Sequence, residues 1–188
     1  MDVDAAEIRN TIEQRELNQW HLMIASLLGS LAQYSGMFNQ ALLNQMLTRS
    51  MRQFVVPYFE SLLEVSKARQ RAAAALIPED QLHAVIWFLD QAFPLAKDIQ
   101  IVPGDEPTKA KVVVTSGGCR FCPIGVGKAQ LAPTKTFCPF PTMILETAKF
   151  LLGDERVELC LTRERARVHA VVKSEGKCHV EYQLAGSW

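Results

Sequence analysis

The sequence predicts an α+β fold in which an N-terminal helical layer packs on a C-terminal antiparallel sheet. Through the first half of the chain, apolar residues recur three and four apart, the period of a helix face. From about Asp98 the spacing shifts towards alternation, the period of a half-buried strand. The later strands cluster instead of alternating with helices, which separates this order from a doubly wound α/β arrangement.

Residues 5–15 read as a charged, weakly amphipathic helix. Residues 20–34 place Trp20, Met23, Ile24, Leu27, Leu28 and Leu31 on one helical face, with Ser35-Gly36 as the stop. A third helix over 38–50 presents Leu42, Leu43, Met46 and Leu47. Pro57 interrupts or restarts it, and Tyr58, Leu62 and Val65 carry a stripe on towards Arg71. Ala72 to Ala75 strongly favour helix. Pro78-Glu79-Asp80 opens the next helix, faced by Leu82, Val85, Ile86 and Leu89. Ile99 and Ile101 then alternate with polar neighbours, and a turn-rich loop over 103–107 leads to a strand over 110–115. After a helix over 142–152 ended by Gly153-Asp154, strands over 157–162, 167–173 and 177–184 complete the sheet. Ser174-Glu175-Gly176 joins the last two as a hairpin turn.

Twenty basic residues balance twenty acidic ones, which argues against an electrostatic nucleic-acid binder. The acidic start, Met1-Asp2-Val3-Asp4, is unlike a secretory signal, and the apolar stretch over 22–31 is too short to span a bilayer. A cytoplasmic protein is expected, and its five cysteines, an odd number, suit free thiols or a metal site better than a disulfide framework.

The chemistry concentrates in Gly117-Gly118-Cys119-Arg120-Phe121-Cys122-Pro123 and Phe137-Cys138-Pro139-Phe140-Pro141. Cys119 and Cys122 form a C-x2-C pair leaving a strand, and Cys138 stands at the start of a helix. Three thiolates here suit one ion, most readily Zn²⁺ in tetrahedral geometry, with sulfurs ~2.3 Å from the metal. Cys178, Cys160, His179, water or substrate remain open as the fourth ligand. Alternation puts Cys178 with Val180, Tyr182 and Leu184, so Cys178 reads first as core. A helix N-terminus also lowers a thiol pKa, so a redox switch, with Cys119 and Cys122 closing a reversible disulfide, competes with the metal reading.

The order of motifs resembles the 4-vinyl reductase-like (hydrocarbon-binding) domain family, whose fold group includes small subunits of the TRAPP vesicle-tethering complex. The resemblance runs from about Met37 to Leu184. Its anchors are the strand into Gly118-Cys119, Phe137-Cys138-Pro139-Phe140 opening an apolar helix, Val157-Glu158-Leu159-Cys160, and the closing strand from Gly176 to Tyr182. It implies a ligand-binding domain over 37–188, a small hydrophobic ligand near Phe137, Cys138, Phe140 and Ile144, and a homodimer formed through helices. The extension over 1–36 is then assigned to oligomerisation.

A metal- or thiol-dependent enzyme is the second reading, weakened by the lack of a convincing general base, and an assembly scaffold is the third. His21 and His83 read as ordinary core or surface histidines, while His169 and His179 are candidates to face each other across a hairpin. Arg163, Arg165 and Arg167 share a strand face, and Gly125-Val126-Gly127-Lys128 lacks the spacing of a phosphate loop.

Overall fold

In the computed structural model, which describes residues 5–33, 39–62, 64–122, 138–164 and 167–184, six helices precede the first strand. They are α1 (Ala5–Arg15), α2 (Gln19–Gln33), α3 (Gln40–Ser50), α4 (Val56–Glu60), α5 (Val65–Ala74) and α6 (Pro78–Ala92). Asn39 caps α3 by accepting the Leu42 N–H at 2.9 Å. Pro57 does not break the chain of helix. A π-helical turn, Met51–Val55, joins α3 to α4, and the Val56 N–H reaches back five residues to the Met51 carbonyl. The wider turn gives room for a proline ring that would otherwise crowd the preceding turn.

The face buried by α2 differs from the expected one. His21, Ala25 and Leu28 are buried, whereas Trp20, Met23 and Leu27 are 60%, 56% and 58% exposed. Periodicity alone marks an apolar face without saying which part of it meets the protein. Here α2 turns the small side chain of Ala25 onto Leu17, with Ile12 and Leu22 packed around them.

The strands are β1 (Ile99–Pro103), β2 (Lys109–Thr115), β3 (Val157–Leu159), β4 (Thr162–Glu164), β5 (Arg167–His169), β6 (Val172–Ser174) and β7 (Lys177–Leu184), with α7 (Phe140–Leu152) between β2 and β3. Five of them form an antiparallel sheet in the order β1-β2-β7-β3, with β6 also on β7. The three expected late strands become five because β3 and β6 share one edge of β7. Val157 pairs with Leu184 at one end, and Val172 pairs with His179 at the other. Between them the chain leaves that edge after Cys160 and folds into the separate β4–β5 ladder. His169 consequently pairs with Thr162, while His179 lies opposite Val113 and Val172, so the two histidines do not face each other. The arginines at 163, 165 and 167 have side chains outside the described residues. The β6–β7 turn has positive φ at both central positions, 49° at Glu175 and 71° at Gly176, the backbone that matches the twist of a two-residue hairpin.

One face of the sheet carries Ala110, Val112, Val114, Val180, Tyr182 and Leu184 into a core closed by α5, α6 and α7. Tyr182 is fully buried, and its hydroxyl donates to the Pro141 carbonyl at 3.0 Å, tying β7 to the first turn of α7. On the opposite face Lys111 pairs with Asp105 and Glu181. A polar seam joins α3 to α7. Arg52 Nε lies 2.7 Å from the buried Glu146 carboxylate, and the Thr48 hydroxyl donates to its other oxygen at 3.4 Å. Further along, Asn44 Oδ1 accepts from Thr142 at 3.1 Å and from Gln40 at 2.6 Å. Among the described residues, no helix is long and apolar enough to cross a membrane.

Candidate functional site: a cysteine-lined cavity

Where β2 ends, the backbone curls into the C-x2-C turn. Gly117 takes φ 81°, a left-handed conformation that favours glycine, and the Gly118 N–H returns to the Thr115 carbonyl at 2.7 Å. Cys119 bridges to Ala96, the Arg120 N–H donates to the Leu95 carbonyl at 2.8 Å, and the Cys122 N–H closes on the Cys119 carbonyl at 3.0 Å. The turn is therefore fastened to the end of the α6–β1 link.

Cys138 arrives from the other side, just ahead of α7. The side-chain amide of Gln40 clamps its backbone: Gln40 Nε2 donates to the Cys138 carbonyl and Gln40 Oε1 accepts its N–H, both at 3.0 Å. Cys178 comes from β7, directly across from Val114 on β2. Together Cys119, Cys122, Cys138 and Cys178 line one cavity of about 30 Å³, walled otherwise by apolar groups such as Val114, Phe121, Phe140 and Val180. Lys173 also borders it. That volume suits a single ion or about one water molecule.

Burial favours the protonated form of two of these thiols, Cys119 and Cys138. Burial pushes Cys119 up to about 12, partly offset by the Phe121 N–H on its sulfur. Burial also holds Cys138 well above its usual range, against an opposing bond from the Phe140 N–H at the start of α7. Negative charge on Cys119, Cys122 or Cys178 raises Cys138 further, so the four groups sense one another electrostatically. The expected lowering of Cys138 by the helix N-terminus is present as that N–H bond, but desolvation outweighs it. None of the five cysteines is joined in a disulfide. Among the described residues, no three His, Cys, Asp or Glu side chains already stand in a metal-holding arrangement. Neutral thiols have no attraction that would draw them together; an ion that replaces their protons supplies one.

The N-terminal helices pack on the same turn. Arg15 Nη1 donates to the Cys122 carbonyl at 3.0 Å, and Glu16 holds both Arg120 at 3.0 Å and Lys97 at 2.8 Å. His21 sets its ring edge-on to Phe121 at 5.5 Å, while its Nδ1 accepts the Asn18 N–H at 3.1 Å. Burial lowers the His21 pKa, and Arg120 lowers it further. His21 is thus a satisfied core histidine, as expected, and His83 is exposed.

The structure brings together Cys119, Cys122, Cys138 and Phe140 of the expected site. Ile144 is fully buried in the core and does not border the cavity, and Phe137 lies outside the described residues, as does the loop containing Gly125 to Lys128. Cys160 stands apart, beside Glu181, with its pKa raised first by burial and then by that carboxylate. Sequence reasoning gave Cys178 to the core. Its strand face was right, and the missing piece was the register that sets Cys178 opposite Val114, at the level of the cysteine turn. The parts played by Lys173 and Arg15 left no local signal.

The model of one protein family, the MJ0207 family, matches residues 36–184. This chain belongs to the MJ0207 family. Neither the curated proteins nor the solved structures contain a match to it. The MJ0207 portion holds all four cavity cysteines and leaves α1 and α2 outside the match.

Proposed function

We propose that this protein is a non-catalytic binding protein whose four-thiol cavity takes up a single soft metal ion, zinc in the first instance. The observation that carries this reading is the gathering of Cys119, Cys122, Cys138 and Cys178 around one small apolar space. Four sulfurs suit a closed tetrahedral structural or sensing site, which leaves no open coordination position for catalysis. Two of the sulfurs already accept backbone N–H groups from the residue two positions on, contacts that favour the charged thiolate once a metal has replaced the proton. A reducing, cytoplasmic setting would keep the thiols available.

The apolar walls favour a second occupant, the small hydrophobic molecule implied by the 4-vinyl reductase-like resemblance. Ligand pockets for such molecules run to roughly 300–1,000 Å³. A cavity of about 30 Å³ would have to open widely for one, so the ion is the better fit. Trp20, Met23 and Leu27 on α2 form an exposed apolar face suited to the homodimer. Native mass spectrometry with elemental analysis, on protein purified without chelator, tests all three parts. One zinc per chain is expected, in a dimer. A metal-free protein carrying an organic ligand would replace the metal reading with the second, and light scattering that finds only monomer at high concentration would remove the dimer.

A further inference from the structure

We infer that Asn18 and His21 form a pH-sensitive latch, which keeps the first turn of α2 seated on the cysteine turn while the histidine is neutral and releases it when the histidine takes up a proton. The device lies in the part of the chain outside the family match, and it stands whether or not the cavity holds an ion. Asn18 precedes α2 and caps it: its side-chain oxygen accepts the Trp20 N–H at 3.0 Å and the His21 N–H at 3.1 Å. In return, His21 Nδ1 accepts the Asn18 N–H at 3.1 Å. The pair is a reciprocal capping box, with a histidine in the place that glutamate or glutamine usually fills. An imidazole nitrogen that accepts a hydrogen bond carries no proton, so the Nδ1 side of the box closes only with the neutral ring.

A proton on Nδ1 would meet the Asn18 N–H head-on. It would also place a cation at a helix N-terminus, where the helix dipole disfavours one. The helix α2 holds no Asp, Glu, Lys or Arg, so no charge on it offsets a protonated ring. The ring is buried edge-on against Phe121, and Arg120 faces it from the cysteine turn. Burial first, and then Arg120, lowers the His21 pKa. The other charges at this junction keep their state over the same range. Glu16 pairs with both Lys97 and Arg120, and Lys97 holds its carboxyl below the usual range. Arg15 lies on the Cys122 carbonyl and remains a cation, and the Cys119 thiol keeps its proton up to about 12. The seated form therefore binds fewer protons than the released one. Its stability is fully present above the ordinary histidine value of 6.5 and is lost as pH falls below it. Leu17 and Ala25 form a cluster separate from the main core, so this corner can loosen while the main core stays closed.

The full chain tests the latch without any ligand. In an NMR titration of the wild type, the His21 ring should take up its proton below pH 6.5. Hydrogen exchange, expressed relative to an unstructured amide at the same pH, supplies the second wild-type reading. Protection in the first turns of α2 should fall about fivefold, the loss expected for one helix cap, between about pH 7.5 and about pH 5.5, which bracket the usual histidine value. His21→Gln offers the same acceptor without titrating, and its protection should stay level across that interval. At about pH 5.5 a small thiol reagent should label Cys122 faster in wild type than in His21→Gln, because only the wild-type ring is then charged. A His21 ring that titrates at or above 6.5, wild-type protection that ignores pH, or an equal fall in His21→Gln would overturn the latch. Equal labelling of the two proteins at the lower pH would overturn its hold on the cysteine turn. Should His21→Gln leave α2 unprotected even at neutral pH, the two wild-type readings decide.

Discussion

Glu146 and Cys138 are both enclosed polar groups, one within α7 and one just before it, and their neighbourhoods differ. At Glu146, Arg52 and Thr48 reach the carboxylate from α3 and the π turn, so each oxygen has a donor within the fold. At Cys138, the backbone is fully engaged by Gln40, and the sulfur accepts the Phe140 N–H and otherwise borders the cysteine-lined cavity. The first neighbourhood is complete without any outside partner. In the second, burial holds the Cys138 thiol protonated, and on the proposed reading an ion would replace that proton and give the sulfur a stronger partner. On that reading the fold would hold one buried polar site for stability and another for occupancy within the reach of a single helix.

The largest expected effect tests the second neighbourhood. Replacing Cys119 and Cys122 together by serine should reduce bound metal from one per chain to none by elemental analysis, while Cys160→Ser leaves it unchanged. Metal retained in the double variant would break the contrast.

Alkaline pH sharpens it next. Between the usual 9.0 and about 12, the Cys119 thiol would lose its proton in the unfolded chain but keep it in the fold. The folded state then binds more protons, so the stability of the metal-free protein should fall as pH rises across that window. Below about pH 9 the contribution is fully present. Urea titrations at stepped pH measure the slope, and a flat profile would show that the Cys119 surroundings are wetter than the structure indicates. Metal-loaded protein should show less of this loss, because its thiols have already given up their protons.

The first neighbourhood should respond in stability alone. Arg52→Ala strands a buried carboxylate, a change that costs about 3 kcal/mol, and urea denaturation should show it with metal content unchanged. A metal loss of similar size would mean that the two sites are coupled through α7. Smallest is Tyr182→Phe, which removes the bond to Pro141 and should cost about 1 kcal/mol in the same assay.

Much of this was legible in the residues. Apolar spacing located α2, α3, α6 and α7, and the alternation of Cys178, Val180, Tyr182 and Leu184 identified the buried face of the last strand. The C-x2-C pair and Cys138 also marked the site, because glycines and helix-start prolines restrict where such thiols can sit. Three things were hidden, each for a physical reason. The orientation of α2 depends on which side finds a partner, so large exposed side chains such as Trp20 outvoted Ala25 in any reading by periodicity. The division of β7's edge between β3 and β6 is a long-range competition with no local signature. The approach of Arg15 to Cys122 joins positions 107 residues apart, and nothing near either residue announces it.

The central pairing of the sheet has a kinetic consequence. Val112 meets Val180 only after the chain has closed a loop that contains α7 and four other strands. Closing long loops is slow because entropy is lost before contacts compensate it. The helices and the β6–β7 hairpin can form early from local contacts, but the walls of the cavity cannot meet until β2 and β7 zip together. An ion bound there would therefore arrive last, locking a finished molecule instead of guiding its assembly.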